Sequence, residues 1–296
     1  MSQITLESGF AKATILPERG ALLNQLTLVD RKGQPRDVLW APEDLTSHTP
    51  DTWPGGGLPF LFPFAGRVWH NGNALFYQVG NHEFPMPLHG FSWALSWELT
   101  HKTNHTARFV LRSTEATKKT HYPFDFEIMM QMTLAPNSLH VAVDILYNTL
   151  AAKTREKMPV AIGWHPYFVA AGCLRAKIAA ETIYPVTSNG NAGDPQSARS
   201  FLGDGPWTMP QPKLHSLIFG ELSSEAIILN YEAHTLAISS GPEDVMQHLV
   251  TWTNKPDKFL CIEPWMSLPD AVARPSGCRW LKPGEKLAAW LNLECR

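Results

Sequence analysis

The chain has 296 residues, of which 44% are hydrophobic and 18% charged, enough apolar material for one large or two ordinary cores and too much for a disordered chain. Its 25 Lys and Arg against 27 Asp and Glu give a net charge of -2, so no strong field gathers nucleic acid or anionic lipid. An uncharged run from Met158 to Leu174 contains Pro159, His165 and Pro166 and is unlike the stretch of about 20 apolar residues that crosses a bilayer.

Short runs with apolar and polar residues in alternation recur from the start, at Ala11 to Leu16, Leu22 to Val29, Ser96 to His101 and Ala107 to Ser113. The clearest is Phe124, Phe126, Ile128, Met130, Met132 and Leu134, all on one face of an extended segment. After Ala135-Pro136-Asn137-Ser138 the odd positions Leu139, Val141, Val143, Ile145 and Tyr147 take over, which predicts an antiparallel hairpin. Further strands are expected at Ala226 to Tyr231, Thr235 to Ser239, His248 to Trp252, Lys258 to Glu263 and finally Glu285 to Leu293. No long 3.6-residue stripe appears, and 24 prolines with 20 glycines interrupt the chain too often for a helix bundle. The fold class is therefore all-β, with two packed antiparallel sheets in a large sandwich and one domain over residues 1–296. Three long loops, Arg31 to Gly57, Pro63 to Asn73 and Pro185 to Pro212, are expected to carry function or form a rim.

The N-terminus lacks a basic head followed by an apolar run, so the cytoplasm is the expected location. Cys173, Cys261, Cys278 and Cys295 are scattered and form no C-x-x-C pair. They read as reduced thiols, and a zinc site built from them would need a tertiary coincidence. Signatures of zinc proteases, serine hydrolases, dinucleotide enzymes and P-loop proteins are all missing from the sequence.

Four motifs can carry chemistry. In Gly163-Trp164-His165-Pro166-Tyr167-Phe168 the proline holds His165 in extended backbone, and an imidazole titrates near neutrality. In Cys261-Ile262-Glu263-Pro264-Trp265 a carboxylate follows an apolar strand. The proline is expected to stop the ladder there and leave Glu263 at a rim, since deeper burial would require a cationic partner. Arg67 lies in the loop Pro63 to Val68, and a guanidinium can bond sugar hydroxyls or ring oxygens; His89 lies in the kinked turn Pro87-Leu88-His89-Gly90-Phe91. Trp164 and Trp265 flank these motifs and are candidate platforms for the C–H face of a sugar.

In this order, on an all-β chain of this length, the motifs resemble the aldose 1-epimerase (galactose mutarotase-like) family. The resemblance runs from about Gly20 to the C-terminus and includes Asn71-Gly72 and Phe76-Tyr77 after the arginine loop. It implies a β-supersandwich that holds a monosaccharide on its concave face with no metal or organic cofactor. It further implies that His165 is the general acid, Glu263 the general base, and Arg67 and His89 sugar-binding residues. Two departures stand out: Gly66 precedes the arginine where many relatives have asparagine, and the family's additional substrate-binding aspartate has no clear counterpart. Glu221 is the nearest acidic candidate.

The implied reaction is mutarotation of an aldohexose such as glucose or galactose. An ionised Glu263 takes the C1 hydroxyl proton and a protonated His165 donates to the ring oxygen, the two standing on opposite sides of one pyranose. Activity is then expected to fall at low pH as Glu263 protonates and at high pH as His165 loses its proton. Other readings of the same motifs are a non-catalytic sugar sensor, a hexose 6-phosphate 1-epimerase, which needs a basic cluster, and a glycosidase, which needs two carboxylates. A monomer or a homodimer fits equally.

Overall fold

The computed structural model describes residues 2–45, 52–148 and 156–296. Two antiparallel sheets dominate it, one of nine strands and one of eight, and a four-stranded sheet is built from the N-terminal segment. In the nine-stranded sheet Phe126–Leu134 alternates buried and half-buried positions without a break, as its sequence pattern requires. It pairs with Ser138–Tyr147 from Phe126 opposite Tyr147 to Leu134 opposite Leu139, so the expected hairpin is present. The last strand, Lys286–Cys295, lies inside this sheet between Ser138–Tyr147 and Thr235–Gly241.

One core cluster draws Ile128, Val143 and Leu291 from the nine-stranded sheet and Phe219, Leu249 and Ile262 from the eight-stranded sheet, which is the signature of a sandwich. Each such side chain contributes about 1.5–3 kcal/mol on full burial. The other face of the eight-stranded sheet carries separate, smaller clusters: Leu61, Ala65, Ile218, Val250 and Trp265 in one, and Tyr167, Phe259 and Cys261 in another. Period-two geometry separates the faces. In Phe259–Trp265 the even residues Leu260 and Ile262 join the core, and Cys261, Glu263 and Trp265 point the other way.

Two short helices depart from the strand-only expectation, Glu115–Thr120 and Ala198–Leu202. The first is capped reciprocally by Thr114 and Thr117. Six residues are too few to display a helical stripe, so the cap is its only sequence signal. Within the loop expected at Arg31 to Gly57, residues 46–51 lie outside the described residues, and Pro35–Asp37 forms a short strand. All four cysteines are free thiols. Among the described residues no helix is long and apolar enough to cross a membrane.

Candidate functional site

Glu263 lies within Phe259–Trp265, a strand buried along its whole length, and is 1% exposed. The expectation that Pro264 ends the ladder and leaves Glu263 at a rim is overturned, since Pro264 stays in register opposite Leu249. A proline removes one donor without breaking the register of the remaining pairs. The burial then demands a partner, and His165 supplies it: its Nε2 lies 3.3 Å from Glu263 Oε1.

His165 connects Gly163–Trp164 to Tyr167–Val169, two short strands that both pair with the Glu263 strand. Its backbone N–H donates to the Pro59 carbonyl at 3.0 Å. The ring stacks on Tyr167 at 4.8 Å and meets Trp53 and His89 edge-on at 5.3 and 5.2 Å. Trp53 in turn donates its indole N–H to the Tyr167 hydroxyl at 2.9 Å and stacks on His89 at 5.0 Å.

His89 occupies left-handed backbone with φ 64°, followed by Gly90 at φ 74°. At Gly90 a Cβ would fall 2.0 Å from the Phe62 carbonyl oxygen, so only glycine permits this turn. The Gly66 N–H donates to His89 Nδ1 at 3.1 Å. That bond makes Nδ1 the acceptor and assigns the proton of a neutral ring to Nε2. Arg67 is half-buried, and its Nη1 donates to the Asn189 carbonyl at 2.7 Å.

These groups line one cavity of about 390 Å³, together with Trp53, Tyr167, Ser216, Trp252 and Trp265, a size suited to a small ligand. Arg67, His89, His165, Glu263 and Trp265, all named from the sequence, come together here. Trp164 does not: it is fully buried in the main core against Phe60, because neighbours in extended backbone face opposite ways. Glu221 does not either. It lines a different cavity of about 620 Å³ and bonds the Thr182 hydroxyl. Glu263 is accordingly the only carboxylate, and Arg67 the only fixed cation, among the described residues lining the smaller cavity.

Sequence reasoning missed Trp53, Tyr167, Trp252 and Ser216. Tyr167 is two residues from His165 in the same motif, so strand parity alone would have placed it beside the imidazole. Its hydroxyl accepts from Trp53, and its own proton meets no acceptor among the described residues. The glycine at 66 has a local cause: it sits at φ 80°, and a Cβ there would lie 3.0 Å from the Trp265 ring. An asparagine would have to displace that indole.

Burial controls the protonation of the pair. It pushes the Glu263 carboxyl well above the usual carboxylate range; the nearby Trp265 indole opposes this to a lesser degree, although its N–H does not reach hydrogen-bonding geometry. It also pushes His165 well below the usual imidazole range, reinforced by His89. Desolvation, with Arg67 second, holds His89 down at about 3. Burial disfavours both the ionised Glu263 and the protonated His165 that the sequence led us to expect, because a dry site penalises each charge. The charged pair is reached by moving one proton across the 3.3 Å contact. Glu263 Oε2 and His165 Nδ1 are buried and have no hydrogen-bond partner among the described residues. The two groups also stand side by side on one wall, which corrects the expectation that they flank the sugar from opposite sides.

The family model described as aldose 1-epimerase matches residues 2–294. Among solved structures, a protein from Synechocystis sp. PCC 6803 superposes with a TM-score of 0.80 at 23% identity, covering 99% of this chain and 95% of that one. A galactose mutarotase-like protein from Lactobacillus casei ATCC 334 gives 0.79 at 21% identity, with 100% of both chains covered. Galactose 1-epimerase from Lactobacillus acidophilus NCFM gives 0.72 at 17% identity, covering 99% and 94%. Likeness at these identities shows a shared fold.

Proposed function

The chain belongs to the aldose 1-epimerase family, and from that premise we propose that it interconverts the α and β anomers of a free aldohexose by acid–base ring opening in the 390 Å³ cavity. The observation that carries this reading is the His165–Glu263 contact on the wall of that cavity, with an unpartnered atom on each side chain. A cyclic hemiacetal opens when its C1 hydroxyl loses a proton and its ring oxygen gains one. Both oxygens are bonded to C1, so a sugar presenting that edge meets both groups from one side.

In the proposed cycle sugar hydroxyls donate to Glu263, which favours the carboxylate and transfers its proton to His165. Glu263 then takes the C1 hydroxyl proton while His165 returns a proton to the ring oxygen, and the bond between C1 and that oxygen breaks to the aldehyde. Rotation about C1–C2 and reversal of both transfers close the other anomer, with no net proton consumed. The pair titrates as a unit, so the rate falls when it gains a second proton and when it loses its last. Arg67, the Nε2–H of His89 and the Tyr167 hydroxyl act as donors that orient the sugar, and Trp265 gives an apolar face. A single cation in the cavity favours an unphosphorylated substrate over a hexose phosphate, and a single carboxylate does not supply the pair a glycosidase uses.

The test follows anomer exchange of freshly dissolved α-glucose and α-galactose by NMR. The wild-type chain is expected to accelerate it, and His165→Ala and Glu263→Ala each to lose roughly 10²- to 10⁴-fold. Wild-type rates in both variants would remove the assignment, and sugar binding without exchange in the wild type would identify a sensor instead.

A further inference from the structure

One buried side chain beside the acid–base pair takes no part in the proposed cycle. Cys261 is fully buried and sits two residues before Glu263 on the same strand, so both project from the same face. It is paired across the ladder with Tyr167 on one side and Trp252 on the other. One ligand atom each from His165, Cys261 and Glu263 all fall within 4.8 Å of one another. The tertiary coincidence that a cysteine-based metal site demands is therefore present.

Tetrahedral bonds of zinc length place neighbouring ligand atoms about 3.4–3.6 Å apart. The His165–Glu263 contact at 3.3 Å is close to that spacing, and the two edges to the thiol, each within 4.8 Å, would have to shorten on binding. Glu263 Oε2 is buried without a partner, an acceptor available to a cation. From thiolate, imidazole and carboxylate together we propose a second property of this cavity: His165, Cys261 and Glu263 form an inhibitory site for a zinc-like divalent cation, entered from the sugar side.

The donor set fits Zn²⁺ and not Mg²⁺ or Ca²⁺, which take oxygen ligands. Three protein ligands would leave a tetrahedral ion one coordination position for a water or anion. Binding expels two protons, one from the Cys261 thiol and one from the shared acid, and leaves a thiolate, a carboxylate and a neutral imidazole around a double positive charge. The complex is neutral overall, which suits a dry site. A bound ion occupies the atoms that would exchange protons with the sugar, so cation and sugar exclude each other. Only the inhibition rests on the proposed epimerase reading; the binding does not.

Equilibrium dialysis of the full chain against Zn²⁺ is expected to show one ion held by this site, weakened at least roughly tenfold in Cys261→Ser. Anomer exchange in the wild type should stop in proportion to bound Zn²⁺ and return with a chelator. Co²⁺ in place of Zn²⁺ should give a thiolate-to-cobalt charge-transfer band in the wild type, a readout that stands even if the serine variant does not fold. A wild-type chain that binds no Zn²⁺, Co²⁺ bound with no thiolate band, or equal affinity in a folded Cys261→Ser overturns the site. Exchange that persists with the ion bound overturns the inhibition, whereas a thiolate band in a chain that exchanges no anomers even when metal-free upholds the site and sinks the epimerase reading.

Discussion

Asp30 and Glu263 are both buried carboxylates, at 5% and 1% exposure, yet their surroundings differ in kind. Asp30 Oδ1 accepts from the backbone N–H groups of Lys32 and Gln34, and Oδ2 accepts from Arg36 Nε at 2.9 Å. The Gln34 bond, ahead of Arg36, draws its carboxyl below the usual range against the opposing effect of burial. Glu263 has one imidazole contact and an oxygen with no partner among the described residues, and burial carries it the other way. A fully bonded carboxylate fastens a turn, whereas a half-bonded one holds capacity for something the protein does not contain.

The contrast breaks most sharply on activity. Glu263→Gln keeps shape and removes the base, so anomer exchange should fall roughly 10²- to 10⁴-fold; Asp30→Asn should leave that rate unchanged in the same NMR assay. A smaller loss is expected of Trp53→Phe, which takes away the donor to Tyr167: about 2- to 10-fold in kcat/KM, the worth of one ordinary hydrogen bond, with most of it in KM.

Stability against pH sharpens the comparison further. The folded value of Asp30 is depressed, so its contribution is present above the unfolded value of about 3.9 and is lost as pH falls through the folded one. The Tm of the wild type should therefore decline toward acid more steeply than that of Asp30→Asn, by thermal melts across that range. Glu263 has the opposite sign. Its folded value is raised, so above the unfolded value of about 4.3 the native state retains a proton that the unfolded chain has released, and stability drains as pH rises. Glu263→Gln cannot lose that proton, and its Tm relative to wild type should climb from acid to neutral pH. The smallest effect is expected at Gly66→Ala, where a methyl against Trp265 should raise KM a few-fold and leave kcat nearly intact.

Much of the fold was legible because alternation survives in strands with one wet and one dry face, as in Phe126–Leu134. The Glu263 strand is buried on both faces, and there composition alone could not tell a rim from a floor. Parity explains which site residues were found. Trp164 falls on the wrong parity beside His165, whereas Ser216 and Ile218 face the cavity and Glu221, farther along the same strand, sits in left-handed backbone at φ 50° that breaks the alternation. Trp53 has no strand pattern around it, and its place over His89 is a tertiary fact that no local spacing encodes.

The strand beneath the cavity serves two masters, since Ile262 is locked into the main core while its neighbour Glu263 lines the cavity on the opposite face. A floor anchored in that way cannot drift without unpacking the sandwich. Under the proposed function, changes in sugar preference would be channelled into the loop that brings Val186 and Gly190 to the cavity, where Arg67 bonds the backbone carbonyl of Asn189.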